Sequence, residues 1–238
     1  MKIISWNCQG AFRNKAAIIL RDKPDILVIQ ECEHPEKLLF SSSTPKPTDS
    51  LWFGDNQSKG LGIFSYGNYR FKLNEQYNSD FKTIVPISIT GGQFDFILYA
   101  ICANNPQDKT NQYIGQVWKA INYYDNLLTE GDSILIGDFN SNTIWDKKNR
   151  IGNHSDVVKF LESKDIHSLY HRHFSEQQGK ETKPTFYLYR HEDKPYHIDY
   201  CFVSNSLLKS WNEFKIGRYE EWKMYSDHMP LEASFRED

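Results

Sequence analysis

Apolar residues in this chain fall in short blocks that polar side chains close off. Ile3 to Trp6 is the first block, and Asp25 to Glu31 (DILVIQE) is a near-continuous β-branched run, the mark of a strand buried on both faces. Between them, Asn14 to Asp22 carries a helical apolar face that Pro24 stops. Strand, helix, strand is the opening unit of an α/β layered fold. The two strands end in Asn7 and Glu31.

The middle of the chain reads differently. Leu61 to Tyr66, Tyr69 to Leu73, Thr83 to Thr90 and Phe94 to Ala103 are successive strand patterns, and Gly91-Gly92 is a hairpin turn signal. An antiparallel meander is the expectation, with Pro86 at an edge or a bulge because it cannot donate to a ladder. From Asn111 to Glu130, Ile114, Val117, Trp118, Ile121, Tyr124, Leu127 and Leu128 repeat at three and four, predicting an amphipathic helix that Gly131 ends.

Ser133 to Gly137 (SILIG) is again a buried strand, followed by a shorter helix near Ser155 to Ser163. Thr185 to Arg190 and Tyr196 to Ser204 read as a hairpin, and Met229 to Phe235 as a closing strand. There is no internal repeat, and the loop-like Ser41 to Thr48 is too short to separate domains. Residues 1–238 are therefore expected to form one domain of mixed sheets with outer helices.

Composition agrees, with 39% hydrophobic, 25% charged and 15% aromatic residues. The formal net charge of −3 gives no overall positive field, so a polyanion site would have to be a local basic patch. The first ten residues lack the h-region of a secretory signal, and no stretch reaches membrane-spanning length. Cys8, Cys32, Cys102 and Cys201 are widely spaced without a CxxC pair, which reads as reduced thiols in a cytoplasmic protein.

Familiar nucleotide and hydrolase motifs fail on context. There is no GxxxxGK[ST], the glycines at Gly60 and Gly62 begin a strand rather than a helix, and GxxSxG from Gly62 lacks the helix of a nucleophile elbow. His167, His171 and His173 have no cysteine or carboxylate pair at zinc spacing and read as surface or partial core.

What remains is a set of polar residues delivered at strand ends: Asn7, Glu31, Asp138 and Asn140 after ILIG, Asp199 within YHIDYCFVS, and Asp227-His228 before MPLEASF. Asp and Asn favour turns for local reasons, so one instance means little; five segments together suggest one shared site. Asp138 and Asn140 lie two apart and share a side if the chain stays extended. Hard oxygens from Glu31, Asp138, Asp199 and Asp227 suit Mg²⁺ or Mn²⁺, and His228 can titrate near neutral pH. These are parts for breaking a phosphate ester.

The segments SWNCQG, ILVIQE, LIGDFN, HIDYCFVS and YSDHMPL, in this order from Asn7 to His228, resemble the endonuclease/exonuclease/phosphatase superfamily. The resemblance implies a four-layer αββα sandwich, two mixed central sheets with outer helices and one metal-dependent site. It implies that Glu31 binds the metal, with Asn7 supporting it and Asp227 as a direct or water-mediated ligand. It further implies that Asp138 orients or deprotonates the attacking water, Asn140 holds water and a phosphate oxygen, and Asp199 pairs with His228, which stabilises charge on phosphorus. The segment YAICANNP makes Asn105 a candidate phosphate ligand, while Cys102 stands where family members carry an aromatic or His, and Gln9 where abasic-site enzymes carry an acid.

The leading expectation is a Mg²⁺-dependent nuclease acting on DNA as a monomer, with no membrane or protein partner. A phosphatase or phosphodiesterase acting on a small phosphorylated metabolite or lipid headgroup is the alternative, and a non-catalytic binding module is the third. Basic residues near aromatic ones, at Tyr69 to Lys72 and Tyr187 to Lys194, suit backbone and base contacts or, equally, solvated strand faces.

Overall fold

A computed structural model describes residues 1–104 and 112–236; Asn105 lies outside the described residues. The first half of the chain gives β1 (Lys2–Asn7), α1 (Ala16–Ile19), β2 (Ile26–Cys32), β3 (Asp49–Asn56), β4 (Lys59–Ser65), β5 (Arg70–Leu73), β6 (Ile84–Thr90), β7 (Phe96–Cys102) and α2 (Ile114–Tyr123). The second half gives β8 (Ser133–Asp138), α3 (His154–Ser163), β9 (Ile166–Ser168), α4 (Leu169–Phe174), β10 (Phe186–Tyr187) and β11 (Pro195–Tyr196). It closes with β12 (Asp199–Ser204), α5 (Asn205–Leu208), β13 (Trp211–Ile216), α6 (Tyr219–Trp222) and β14 (Leu231–Phe235).

Two mixed six-stranded sheets carry the fold, ordered β13-β14-β1-β2-β4-β3 and β5-β6-β7-β8-β12-β9. They pack face to face. Ile26 and Val28 of β2 meet Ile134 and Ile136 of β8 in the core between them. The alternate residues Leu27 and Ile29 point the other way, onto Ile19 of α1 and Trp222 of α6. Leu135 likewise packs outward with Val117 and Ile121 of α2 and Leu161 of α3. Each central strand is thus apolar on both faces because one face meets the other sheet and the next a helix, giving four αββα layers.

The expected meander is corrected. β5, β6 and β7 are sequential antiparallel neighbours, but β4 belongs to the other sheet, between β2 and β3. Pro86 sits inside β6 opposite Tyr99, where β5 has already ended; its carbonyl accepts the Asn74 N–H at 3.0 Å, and no partner strand needs its missing donor. The expected hairpin at Thr185 is also rebuilt: β10 pairs with β11 as a separate ribbon, while β12 joins β8 and β9. The long helix expected from Asn111 is α2, followed by a single 3₁₀ turn at Leu127–Thr129. No helix among the described residues is long and apolar enough to cross a membrane.

Candidate active site

Topology brings the polar strand ends to one edge. β1 is parallel to β2, and β7 to β8, so Asn7, Glu31, Cys102 and Asp138 all arrive at C-terminal strand ends. β12 runs antiparallel to β8 with Asp199 directly opposite Asp138, and β14, preceded by His228, runs antiparallel to β1. At Gly137, with φ 144°, a Cβ would collide with the Ile101 carbonyl oxygen, so only glycine lets β8 lie this close to β7 before Asp138.

Asp138 is buried and gripped by amides. Its Oδ1 accepts the Asn140 backbone N–H at 2.8 Å, and its Oδ2 accepts Asn140 Nδ2 at 2.9 Å and Asn7 Nδ2 at 3.0 Å. The extended geometry expected of Asp138 and Asn140 does not occur. Asn140 has φ 48°, and this left-handed turn folds its amide back onto Asp138 and onto the Ala103 carbonyl oxygen at 3.0 Å. Burial pushes the Asp138 carboxyl well above the ordinary carboxylate range, opposed by the nearby His228 imidazole.

His228 and Asp199 form the expected pair, with Nδ1 2.9 Å from Asp199 Oδ2, and His228 Nε2 is 3.9 Å from Asp138 Oδ2. Burial alone would lower the basicity of the imidazole, but the Asp199 and Asp138 carboxylates outweigh it and hold His228 above the ordinary histidine range. The backbone is fixed as firmly as the ring. His228 N–H donates to Ser226 Oγ at 3.0 Å, Ser226 Oγ donates to the Asn7 carbonyl at 2.7 Å, and Trp6 Nε1 donates to the His228 carbonyl at 2.9 Å. Thr185 Oγ1 accepts the backbone N–H groups of Ile198 and Asp199, both at 3.0 Å. The sequence assigns a role to neither Ser226 nor Thr185, although Ser226 stands in the segment YSDHMPL and Thr185 opens the strand pattern that runs to Arg190.

Glu31 sits in a β-bulge, where the β2–β4 register shifts between Gln30 and Cys32, and its φ is 58°. A bulge re-aims a side chain out of the pleat, and here the Glu31 carboxylate meets Lys59 Nζ at 2.9 Å. Asp227 is the second acid at this end. Burial first, and then the neighbouring Glu31 charge, raise its pKa against the pull of His228. Gln9 Nε2 donates to Asp227 Oδ2 at 2.8 Å, and Arg190 Nε donates to Gln9 Oε1 at 3.0 Å, so the amide ties Asp227 to a cation where abasic-site enzymes carry an acid. Gln9, Glu31, Asn140 and Arg190 all have positive φ, a concentration of backbone strain around one cleft.

Glu31 and Asp227 are two hard-oxygen acids, the charge of Glu31 helping to raise the Asp227 carboxyl, and the Cys8 and Cys32 thiols are pushed up by burial and remain protonated. That donor set fits a hard divalent cation. Asp138, Asp199 and His228 also bring ligand atoms within 4.8 Å of one another. Asp138 is already engaged by three N–H donors and His228 Nδ1 by Asp199, so their contacts favour proton chemistry.

The histidines at 167, 171 and 173 take no part. His171 Nε2 pairs with Glu181 at 3.1 Å and His167 Nε2 with Asp165 at 2.9 Å. The four cysteines are free and buried.

A buried carboxylate held by amides, an imidazole charged by a second carboxylate, and an adjoining pair of hard-oxygen acids define a hydrolytic phosphoesterase. The chain belongs to the Endonuclease/Exonuclease/phosphatase family, whose model matches residues 4–228. Members of this family are in general divalent-metal dependent. No curated protein sequence matches the chain. Its fold is similar to that of a 3′-5′ exonuclease from Neisseria meningitidis, at 20% identity over 100% of both chains with a TM-score of 0.72. It is also similar to a Neisseria 3′ phosphatase bound to a product DNA hairpin, at 20% identity over 100% of both chains and a TM-score of 0.71. An AP endonuclease from Archaeoglobus fulgidus matches at 18% identity over 99% of each chain, with a TM-score of 0.66.

Proposed function

We propose that this chain is a Mg²⁺-dependent phosphodiesterase that cleaves DNA, with Mn²⁺ as an acceptable substitute. The observation that carries the reading is the buried array of Asp138, His228 and Asp199 beside Glu31 and Asp227. Glu31 and Asp227 would hold the divalent ion, which would supply positive charge to the phosphoryl group.

The residues divide the remaining work. Asp138, raised toward neutrality by burial, takes a proton from the attacking water, whose oxygen bonds to phosphorus as the bond to the leaving oxygen breaks. His228 is held cationic by two carboxylates and is a poor proton acceptor; its Nε2 donates to the phosphoryl oxygen as negative charge builds there. Asn7 and Asn140 fix the Asp138 carboxylate, and Asp199 fixes the ring.

DNA as substrate is supported by what the similar structures are: an exonuclease, an AP endonuclease and a 3′ phosphatase with a DNA product. The net charge of −3 favours the second reading, a small phosphorylated metabolite. A panel of abasic-site duplex, plain single-stranded and duplex DNA, and inositol phosphates in Mg²⁺ separates the two. Cleavage of DNA is expected; activity confined to inositol phosphates would reject the nuclease reading.

A further inference from the structure

Ser168, His171 and Glu181 take no part in the cleft chemistry, yet they are joined in a chain of hydrogen bonds. Ser168 ends β9, the edge strand of its sheet, and α4 starts from it. A serine in that place ordinarily spends its oxygen on a helix N–H, but the Ser168 side chain makes no such bond. Its Oγ lies 2.7 Å from His171 Nδ1 instead.

The opposite ring nitrogen faces an acid. His171 Nε2 lies 3.1 Å from Glu181 Oε1, and the Glu181 carboxylate also accepts the Gly179 N–H at 2.9 Å and Asn142 Nδ2 at 3.1 Å. Burial alone would raise the Glu181 carboxyl, but the hydrogen bonds from His171, Gly179 and Asn142 bring it down to about 2, so it is ionised at neutral pH. An ionised acceptor at Nε2 places the ring proton there and leaves Nδ1 free to accept from the Ser168 hydroxyl. Gln178 Nε2, 3.2 Å from Nδ1, is a donor and requires the same tautomer.

The loop that carries Gln178 and Glu181 is pinned at both ends to α4. Tyr170 Oη donates to Glu176 Oε2 at 2.6 Å, and the Thr182 N–H donates to Tyr170 Oη at 3.0 Å. Nucleophile, base and orienting acid thus stand within hydrogen-bond reach before any ligand arrives, which is the arrangement nucleophilic catalysis needs.

A cavity of about 310 Å³ opens on these residues, lined by Ser168, His171, Arg172 and Gln178 together with Glu162 and Glu176. It lies at the small end of the range of roughly 300–1,000 Å³ typical of ligand sites. Arg172 and Gln178 bring N–H donors for an oxyanion, while the two glutamates disfavour a substrate that is itself anionic.

We propose that Ser168, His171 and Glu181 form a nucleophile, base and acid relay that hydrolyses small uncharged carboxylic esters. Ser168 Oγ bonds to the acyl carbon as its proton passes to His171 Nδ1, and Glu181 offsets the imidazolium charge through Nε2–H. The acyl–oxygen bond then breaks, and the leaving alcohol takes the proton from Nδ1. Water releases the acid from the ester on Ser168 by the same route, which returns the proton to Oγ. No metal ion enters these steps, and neither Glu31 nor Asp227 takes part.

The test incubates the full chain in EDTA with a fluorophosphonate, maps the adduct by peptide mass spectrometry, and follows p-nitrophenyl acetate hydrolysis in the same buffer. The expected result is an adduct on the Ser168 peptide and ester hydrolysis that falls by about 10²–10⁴ in His171→Gln. In Glu181→Gln both rates should fall about tenfold or more. Mapping uses the wild-type chain, so it reports even if a variant does not fold, and circular dichroism checks the folding of each variant. No adduct on Ser168 overturns the relay. An adduct that forms as fast in folded Glu181→Gln as in the wild type also overturns it, leaving the Ser168 contact with His171 as a hydrogen bond at the helix start.

Discussion

His228 Nδ1 lies 2.9 Å from Asp199 Oδ2, and both side chains are buried. The opposite ring nitrogen points to the Asp138 side of the cleft, 3.9 Å from Oδ2. The imidazole therefore lies between two carboxylates, and its charged form is favoured although burial opposes it. Asp199→Asn removes the largest opposing charge while keeping the volume. The expected outcome is a fall in kcat of about 10²–10⁴. The alkaline limb of kcat/KM should also move to lower pH, since the active cation is lost earlier once its partner is neutral. A pH profile of both proteins checks this; an unmoved alkaline limb would show that His228 is not the group titrating there.

Asp138 sets the acid limb. Its folded pKa is raised by burial, so the carboxylate that accepts a proton forms only above the ordinary carboxylate range, and kcat/KM rises through that region. Asp138→Asn should lower kcat by about 10²–10⁴. It should also cost about 1–3 kcal/mol of stability, because an amide nitrogen at Oδ2 faces the Asn7 and Asn140 side-chain N–H donors. Kinetics and urea denaturation of the same variant check the two statements separately.

Glu31 is where metal dependence should be felt. Chelation with EDTA should abolish hydrolysis, with recovery on adding Mg²⁺ or Mn²⁺. In the wild type, Mg²⁺ should raise Tm by binding the folded state only. Glu31→Gln should remove most of that rise and increase the Mg²⁺ concentration needed for half-maximal activity by about tenfold or more. A Tm response to Mg²⁺ that survives in Glu31→Gln would move the ion elsewhere.

The candidate residues of this site are legible because each strand announces its end: a run apolar on both faces must stop where polar side chains can reach solvent or substrate. Asn7, Glu31 and Asp138 stand out on that ground, Asp199 stands inside its own segment at the start of β12, and the topology places all four on one edge. Their local geometry was not legible. Nothing in the letters of Asn140 or Glu31 shows a positive φ, and it is the left-handed turn that spends the Asn140 amide on Asp138 and the bulge that sends Glu31 toward Lys59.

Sheet assignment also escaped local reading. The Leu61 pattern shows a strand, but its partner β2 lies far back in the sequence, and β3, on its other side, carries the weak signal LWFGDN with a glycine and two polar residues.

Acid stability follows from imidazoles outside the site. His154 and His197 are buried, and neither ring nitrogen of His154 nor Nε2 of His197 has a hydrogen-bond partner among the described residues. Burial lowers both pKa values from 6.5 to about 4, against the nearby Glu181 and Asp146 charges in the case of His154. The unfolded chain therefore binds protons that the folded chain refuses between those limits. The contribution is fully present above about 6.5 and is lost progressively as pH falls from there to about 4. Two such groups remove roughly 3 kcal/mol each at the acid end, a large share of the total for a domain of ordinary stability. His154→Phe deletes one of the two without leaving a new unpaired polar atom and keeps the ring contact with Tyr200, now 4.7 Å between centroids. Urea midpoints at pH 7 and pH 5 should therefore lie closer together in His154→Phe than in the wild type, with the variant at least as stable as the wild type at the lower pH. Equal spacing of the midpoints in the two proteins would show that His154 is already protonated in the folded state.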